Sequence, residues 1–279
     1  MRIVFCIVGV FLLQLPIFCQ SQHAIDRYLE LHNCYPVTFG EKGNWLQGEI
    51  ETIFDYQTIC KVQADYFQKF LKKGVLEEEA DRRSQLGIIA EDAYWVWIRE
   101  ALLFPSGHCD IYNRFIPKGS LARAPGRSAM CAVVLVQLPN QKIAMNLIFR
   151  NGTRSWELEL PRGGIEPGEF SADAAKREVQ EETGYLVDTV FHIGTYPMDS
   201  ATCPQFFDAY FAKTEDLGDT AREKGEVIAS VIALSKQEAK EALCKGQIEI
   251  EINGKKIVAF CRDYHMAYAL LLAEMKGFL

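Results

Sequence analysis

GGIEPGEFSADAAKREVQEETGY, Gly163 to Tyr185, decides how the rest of the chain is read. Six carboxylates crowd into it, Glu166, Glu169, Asp173, Glu178, Glu181 and Glu182, against two cations, Lys176 and Arg177. Pro161, Gly163, Gly164, Pro167 and Gly168 dictate a loop at its start. Ser171 is placed to cap a helix, with Asp173 in the first turn, where the helix dipole favours an anion. The spacing predicts a helix to Thr183, with Gly184 as a left-handed stop. At about 100° per residue, Glu178 and Glu182 lie roughly 40° apart, and Glu181 roughly 60° to the other side of Glu178. Ala172, Ala175 and Val179 form the adjoining apolar stripe, so the helix can pack on a sheet while its acids face one pocket.

Like charges three and four residues apart on an exposed helix repel by tenths of a kcal/mol per pair. Within the helix, Arg177, four residues before Glu181, is the local offset. The cluster becomes favourable when hard cations sit on it, because Mg²⁺ and Mn²⁺ prefer carboxylate oxygens and complete their shells with phosphate oxygens.

The same residues resemble the Nudix box, GX5EX7REUXEEXGU, in which U is apolar. Gly163, Glu169, Arg177, Glu178, Glu181, Glu182 and Gly184 meet every fixed position, and the departure is aromatic Tyr185 at the last U. The resemblance implies a Nudix-type α/β/α sandwich and attack of metal-activated water on a pyrophosphate that links a nucleoside phosphate to another group. It implies Mg²⁺ or Mn²⁺ as cofactor, with Glu178, Glu181 and Glu182 as ligands and the backbone carbonyl of Arg162 as an additional one. Arg177 and Glu169 are implied to pair and lock the loop onto the helix, with Gly163 and Gly184 shaping its ends.

REALLFPSG, LIFR followed by WELELPRGGIEPGE, and the terminal segment after RDYH are similar to the ADP-ribose pyrophosphatase branch of that family. By that similarity Arg99 and Arg150 are implied to contact substrate. Glu226 stands where the branch often carries its catalytic base, with Glu223 as rival. TYPMDSATCPQ departs from the Ser-Pro-Gly-like loop of the branch, which leaves another nucleotide sugar or a dinucleotide open as substrate. A nucleotide-binding module without catalysis, or an interaction protein acting through residues 23–85, are the readings from other classes. Three metal-facing acids argue against the binding module. The resemblance also implies a homodimer.

Around this centre the chain reads as α+β with a mixed sheet. Residues 23–85 have helical texture, with Ile50, Ile53, Phe54, Cys60, Phe67, Phe70 and Leu71 expected on one side of a helix that Gly74 closes. Strands are expected from Gly87, with Pro105–Gly107 and Pro139–Gln141 as turns and a basic loop at Lys118–Ser128. Ser235–Glu238 is a capping box, and Asn253-Gly254 is a type I′ hairpin signal. A helix is expected from about Arg262 to Lys276.

MRIVFCIVGVFLLQLPIFCQSQ opens the chain with a cation, an apolar run and a polar exit. It reads as a secretory signal peptide, hence export to a secreted or periplasmic location, with an uncleaved membrane anchor as the alternative. The run is short against the roughly 20 apolar residues of a spanning helix. The expected organisation is therefore 1–22 leader or anchor, 23–85 helical extension and 86–279 Nudix-like domain. Nine cysteines without a CxxC pair argue against a zinc site, and their scatter fits poorly with a disulfide framework. A net charge of −7 argues against nucleic acid as an obligate partner, because phosphate contacts draw on clustered Lys and Arg. A small nucleotide remains compatible with it, provided cations supply the local positive charge.

Overall fold

Along the strand Cys131–Gln137, Val133 and Leu135 enter one hydrophobic core while Ala132, Val134 and Val136 enter another. A strand buried on both faces reads as a continuous apolar run, and it needs helices on both sides. The computed structural model, which describes residues 22–121, 129–214, 216–218 and 227–279, supplies them. The chain forms two compact units, one reaching to Ser128 and including Met198–Gln205, the other made of Ala129–Pro197 and Phe206–Leu279.

The first unit contains α1 (22–34), α2 (Pro36–Phe39), α3 (Tyr56–Lys72) and α4 (Glu77–Ser84). Its strands are β1 (Glu51–Thr52), β2 (Gly87–Glu91), β3 (Trp95–Leu103) and β4 (Cys109–Pro117), and the other three all pair antiparallel with β3. Asp55 caps α3 by accepting from the Thr58 N–H. The buried face of α3 is Ile59, Val62 and Tyr66, and Cys60 and Phe70 of the expected stripe pack partly buried against the same core, so the stripe is centred beside the expected line. Ile50, expected on the same helix, is exposed ahead of it, because the helix starts only at Tyr56. Ile25, Tyr28, Ile59 and Val62 share one core with Ile88, Val96, Ile98 and Ile116. The boundary expected at residue 86 thus falls inside this unit, between helices and strands that share a core.

The second unit carries β5 (Cys131–Gln137), β6 (Ile143–Arg150), β7 (Ser155–Glu159), β8 (Arg162–Gly164), α5 (Ser171–Thr183), β9 (Tyr185–Leu186) and, up to Pro197, β10 (Val190–Asp199). Next come β11 (Cys203–Lys213, in this unit from Phe206), β12 (Asp216–Leu217), β13 (Ile228–Leu234), α6 (Lys236–Lys245), β14 (Gln247–Ile252), β15 (Lys255–Phe260) and α7 (Tyr264–Met275). The main sheet runs β10-β11-β5-β6-β7-β15-β14, with β13 on β6 and β8 on β5. It is mixed: β11 is parallel to β5 and β15 to β7, and β6 is antiparallel to β7. Residues of α5 pack with Ala132, Val134 and Val136 on one face, and residues of α6 and α7 pack with Val133 and Leu135 on the other. The result is an α/β/α sandwich in an α+β chain.

Local signals place most of these elements. Ser235 and Glu238 form the reciprocal capping box of α6, and Gly246 ends it in the left-handed region. Asn253 and Gly254 both take positive φ between β14 and β15, as a type I′ turn requires. The expected N-cap of α5 differs: Phe170 occupies that position, and the Ser171 hydroxyl instead donates to Asp208 Oδ2 on β11 at 2.7 Å. Among the described residues none of the seven cysteines is in a disulfide, and no helix is long and apolar enough to cross a membrane. Residues 1–21 of the expected leader, most of the basic loop, Glu223 and Glu226 lie outside the described residues.

Candidate active site

The box loop and α5 are locked together by one guanidinium. Arg177 Nε donates to Glu169 Oε1 at 2.9 Å and Nη2 to Glu169 Oε2 at 3.0 Å, a bidentate pair. Nη2 also donates to the Gly164 carbonyl at 2.8 Å, and Nη1 reaches Glu178 Oε1 at 2.7 Å and Glu181 Oε2 at 2.9 Å. Glu169 Oε2 further accepts from the Glu166 N–H at 2.9 Å, closing the loop on itself. These hydrogen bonds, those of Arg177 first, hold the Glu169 carboxyl below its ordinary range, and Glu169 in turn raises Arg177.

The three box glutamates differ in setting. Glu182 is 2% exposed, Glu178 is 8% exposed and Glu181 is only half-buried, so α5 turns two of its acids inward. Gly163 makes room for this: a Cβ there would stand inside the van der Waals radius of the Glu178 carboxyl. Glu182 Oε2 accepts from Asn146 Nδ2 at 2.8 Å and from the peptide N–H of Arg162 at 3.0 Å. The main chain at Arg162 therefore lies against the carboxylates. Its side chain points to other partners, Glu159 Oε2 at 2.8 Å and Asp263 Oδ1 at 2.8 Å.

Arg150 sits at the end of β6 and is committed to Glu159 Oε2, through Nη2 at 2.6 Å and Nε at 3.0 Å. Arg99 is in the first unit and has a scaffold task there. Its Nη1 donates to the carbonyls of Arg82, Arg83 and Gln85 at 3.2, 2.9 and 3.2 Å, and its Nε to Asn113 Oδ1 at 3.1 Å. A cation on the orphan carbonyls at the end of α4 stabilises that helix end.

Three residues of the second unit escape a reading by motif: Asn146, Glu159 and Asp263. Asn146 is a buried polar residue on the α5 side of a strand whose neighbours there are apolar, and that break in alternation was its available signal. Glu159 has the same character in β7, buried where a core residue would serve. Asp263 caps α7 by accepting from the His265 N–H at 3.2 Å.

Among the described residues no group of three or more His, Cys, Asp or Glu side chains stands in metal-holding geometry. Arg177 draws Glu178 and Glu181 aside, and Asn146 with the Arg162 peptide holds Glu182. The donor set nonetheless fits a hard divalent cation. One guanidinium is shared by three carboxylates, a fourth is held by neutral donors, and Asn146 Oδ1 beside it is buried without a hydrogen-bond partner. Such a site has charge to neutralise and a spare acceptor for cation-bound water.

The NUDIX domain family model matches residues 128–250. Over 95 residues the chain is 36% identical to the CMP-5'-(N-acetyl-N-hydroxy-3-aminopropyl)phosphonate hydrolase of Streptomyces rubellomurinus, an overlap of 34% of this chain and 44% of that protein. Over 80 residues it is 35% identical to an RNA pyrophosphohydrolase of Erythrobacter litoralis, covering 28% of this chain and 48% of that one. The chain thus spans less than half the length of these curated relatives. Among solved structures, the crystal structure of an ADP compounds hydrolase is similar in fold, with a TM-score of 0.51 at 17% identity over 69% of this chain and 93% of that one.

Proposed function

We propose that the chain, which the NUDIX domain model matches over residues 128–250, is a Nudix hydrolase that cleaves the pyrophosphate bond of a nucleoside diphosphate derivative, most specifically ADP-ribose to AMP and ribose 5-phosphate. The observation that carries this reading is the box itself, where Glu178 and Glu182 are buried against Gly163 and the Arg162 peptide. Burying two carboxylates side by side is costly even with Arg177 on Glu178, because that guanidinium is shared with Glu169 and Glu181, and a bound cation would offset the remaining charge.

Glu178, Glu181 and Glu182, with the carbonyl of Arg162, would hold the cation. Mg²⁺ or Mn²⁺, when bound, supplies charge neutralisation for the diphosphate and lowers the pKa of a coordinated water. The residues of this chain do the rest. Arg177 holds the loop on α5 so that the acids keep their spacing, and Asn146 fixes the orientation of Glu182. Glu226 is assigned the proton of the attacking water: the new P–O bond forms on one phosphorus, the bridging P–O bond breaks, and the phosphate of the other half leaves. ADP-ribose is favoured by the similarity of REALLFPSG, LIFR and WELELPRGGIEPGE to that branch. Residues 1–22 are assigned an export role.

The test is product analysis by HPLC over ADP-ribose, other nucleotide sugars and dinucleoside polyphosphates, with Mg²⁺ or Mn²⁺ and a Glu182→Gln control. AMP and ribose 5-phosphate from ADP-ribose, absent in the control, are expected. Cleavage of another panel member would keep the reaction and discard the substrate. No turnover by folded protein would sink the hydrolase reading.

A further inference from the structure

Arg162 serves two ends at once. Its peptide N–H grips Glu182 Oε2 at 3.0 Å, and its guanidinium reaches across the sheet to the start of α7, donating to Asp263 Oδ1 at 2.8 Å. The same guanidinium pairs with Glu159 Oε2 at 2.8 Å, and Arg150 binds that same oxygen from the other side at 2.6 Å. Arg150, Glu159, Arg162 and Asp263 therefore form a chain of alternating charge that ends on the N-cap of α7. Asp263 lies outside the residues that match the family model, and no position of the box calls for it.

We propose that Asp263 is a positioning residue for the box carboxylates, holding the Arg162 side chain so that the Arg162 peptide keeps Glu182 in place. This rests on the hydrolase reading above. β8 has only three residues, paired with β5 at Cys131, Ala132 and Val133, so its ladder alone is a short anchor for the peptide at its first position. The Asp263 side chain is 6% exposed and that of Arg162 18%, a setting in which losing Asp263 leaves the Arg162 guanidinium only the Glu159 carboxylate that it shares with Arg150. Glu159 is a weaker substitute for Asp263, because its Oε2 is already shared by Arg162 and Arg150. Without the Asp263 charge the guanidinium loses one of its two anionic partners, and the backbone that carries it gains freedom where Glu182 needs a rigid donor. The second oxygen of Asp263 is buried without a hydrogen-bond partner, so the contacts of this side chain run through Oδ1 alone.

Asp263→Asn tests this, since Asn has the same shape and caps helices as well as Asp. Amide hydrogen exchange at Arg162 in metal-free protein is expected to speed up. Mn²⁺ affinity by electron paramagnetic resonance and kcat on ADP-ribose are each expected to fall by about tenfold or more, with KM changing by less than about twofold. Glu274→Gln is the control: it cuts the other ion pairs of α7, to Lys236 and Lys240, and leaves all of these readouts at wild-type values. Should Asp263→Asn not fold, Arg162→Lys asks the same question, because one ammonium cannot fork to both Glu159 and Asp263. Wild-type exchange, affinity and kcat in the Asp263 variant would overturn the proposal, as would equal losses in Glu274→Gln. If wild-type protein neither binds Mn²⁺ nor hydrolyses the panel, the hydrolase reading has failed. The exchange rate at Arg162 still decides whether Asp263 holds that peptide.

Discussion

Gly163 and Arg177 show how single residues set the spacing of the acids. At Gly163 the constraint is space, since any Cβ meets the Glu178 carboxyl. Gly163→Ala is expected to lower kcat by about 10–100-fold with the fold retained, measured by steady-state kinetics beside circular dichroism. Full activity in that variant would mean that Glu178 has no fixed place. At Arg177 the constraint is charge, since one guanidinium is shared by Glu169, Glu178 and Glu181. Arg177→Gln is expected to lower the stability of metal-free protein by about 2 kcal/mol or more. Added Mn²⁺ should recover more of that loss than it adds to wild type, because a cation takes over the missing counter-charge. Equal Mn²⁺ stabilisation of the two proteins in thermal unfolding would contradict it. Both residues were legible from the box spacing. Asn146 and Asp263 were not, because their partners lie far away in sequence, and a single polar residue in an apolar strand or at a helix start has many local explanations.

Elements were read best where the signal was local. Gly184 ends α5 with φ 78°, and the same reasoning placed Gly246 and the Asn253-Gly254 turn. It failed at Ser171, where a tertiary partner, Asp208, competes for the hydroxyl that would otherwise cap the helix. It slipped along α3 because a stripe of mixed aromatic and aliphatic residues fits more than one helical face. α7 carries a consequence for pH. His265 is buried beside Tyr196, whose hydroxyl bonds its Nδ1 at 2.7 Å, and burial together with the charges of Arg162 and Arg150 depresses its pKa to about 3. The folded protein therefore keeps the ring neutral while the unfolded chain takes up a proton near the ordinary value of about 6.5. Between those two values the unfolded state binds more protons, so stability falls as pH falls. From pH 7 to pH 4 this group is expected to remove about 2–3 kcal/mol. Urea unfolding of His265→Asn should show a correspondingly shallower loss, and an identical slope would refute the assignment.

At the scale of the whole molecule, the texture of the sequence changes at residue 86 while the cores divide near residue 128. Ile88, Val96, Ile98 and Ile116 share a core with residues of α1 and α3, and such non-local pairing leaves no mark in local composition. The export role proposed for residues 1–22 also belongs to the scale of the whole chain. Expressed with residues 1–22 in a host with a secretory route, the protein is expected in the exported fraction with a mature N-terminus close to His23, as read by intact mass. Full-length protein retained in the membrane fraction would favour the anchor. The link between Arg162 and Asp263, finally, sets a schedule. Its partners stand 101 positions apart, whereas the box loop and α5 are neighbours along the chain. Translation at about 5–20 residues per second separates their emergence by about 5–20 s. During that interval the nascent chain can already fold the acidic helix, yet it lacks the residue that steadies the Arg162 peptide. The site is finished only once Asp263 has emerged, well after the acids that it helps to hold.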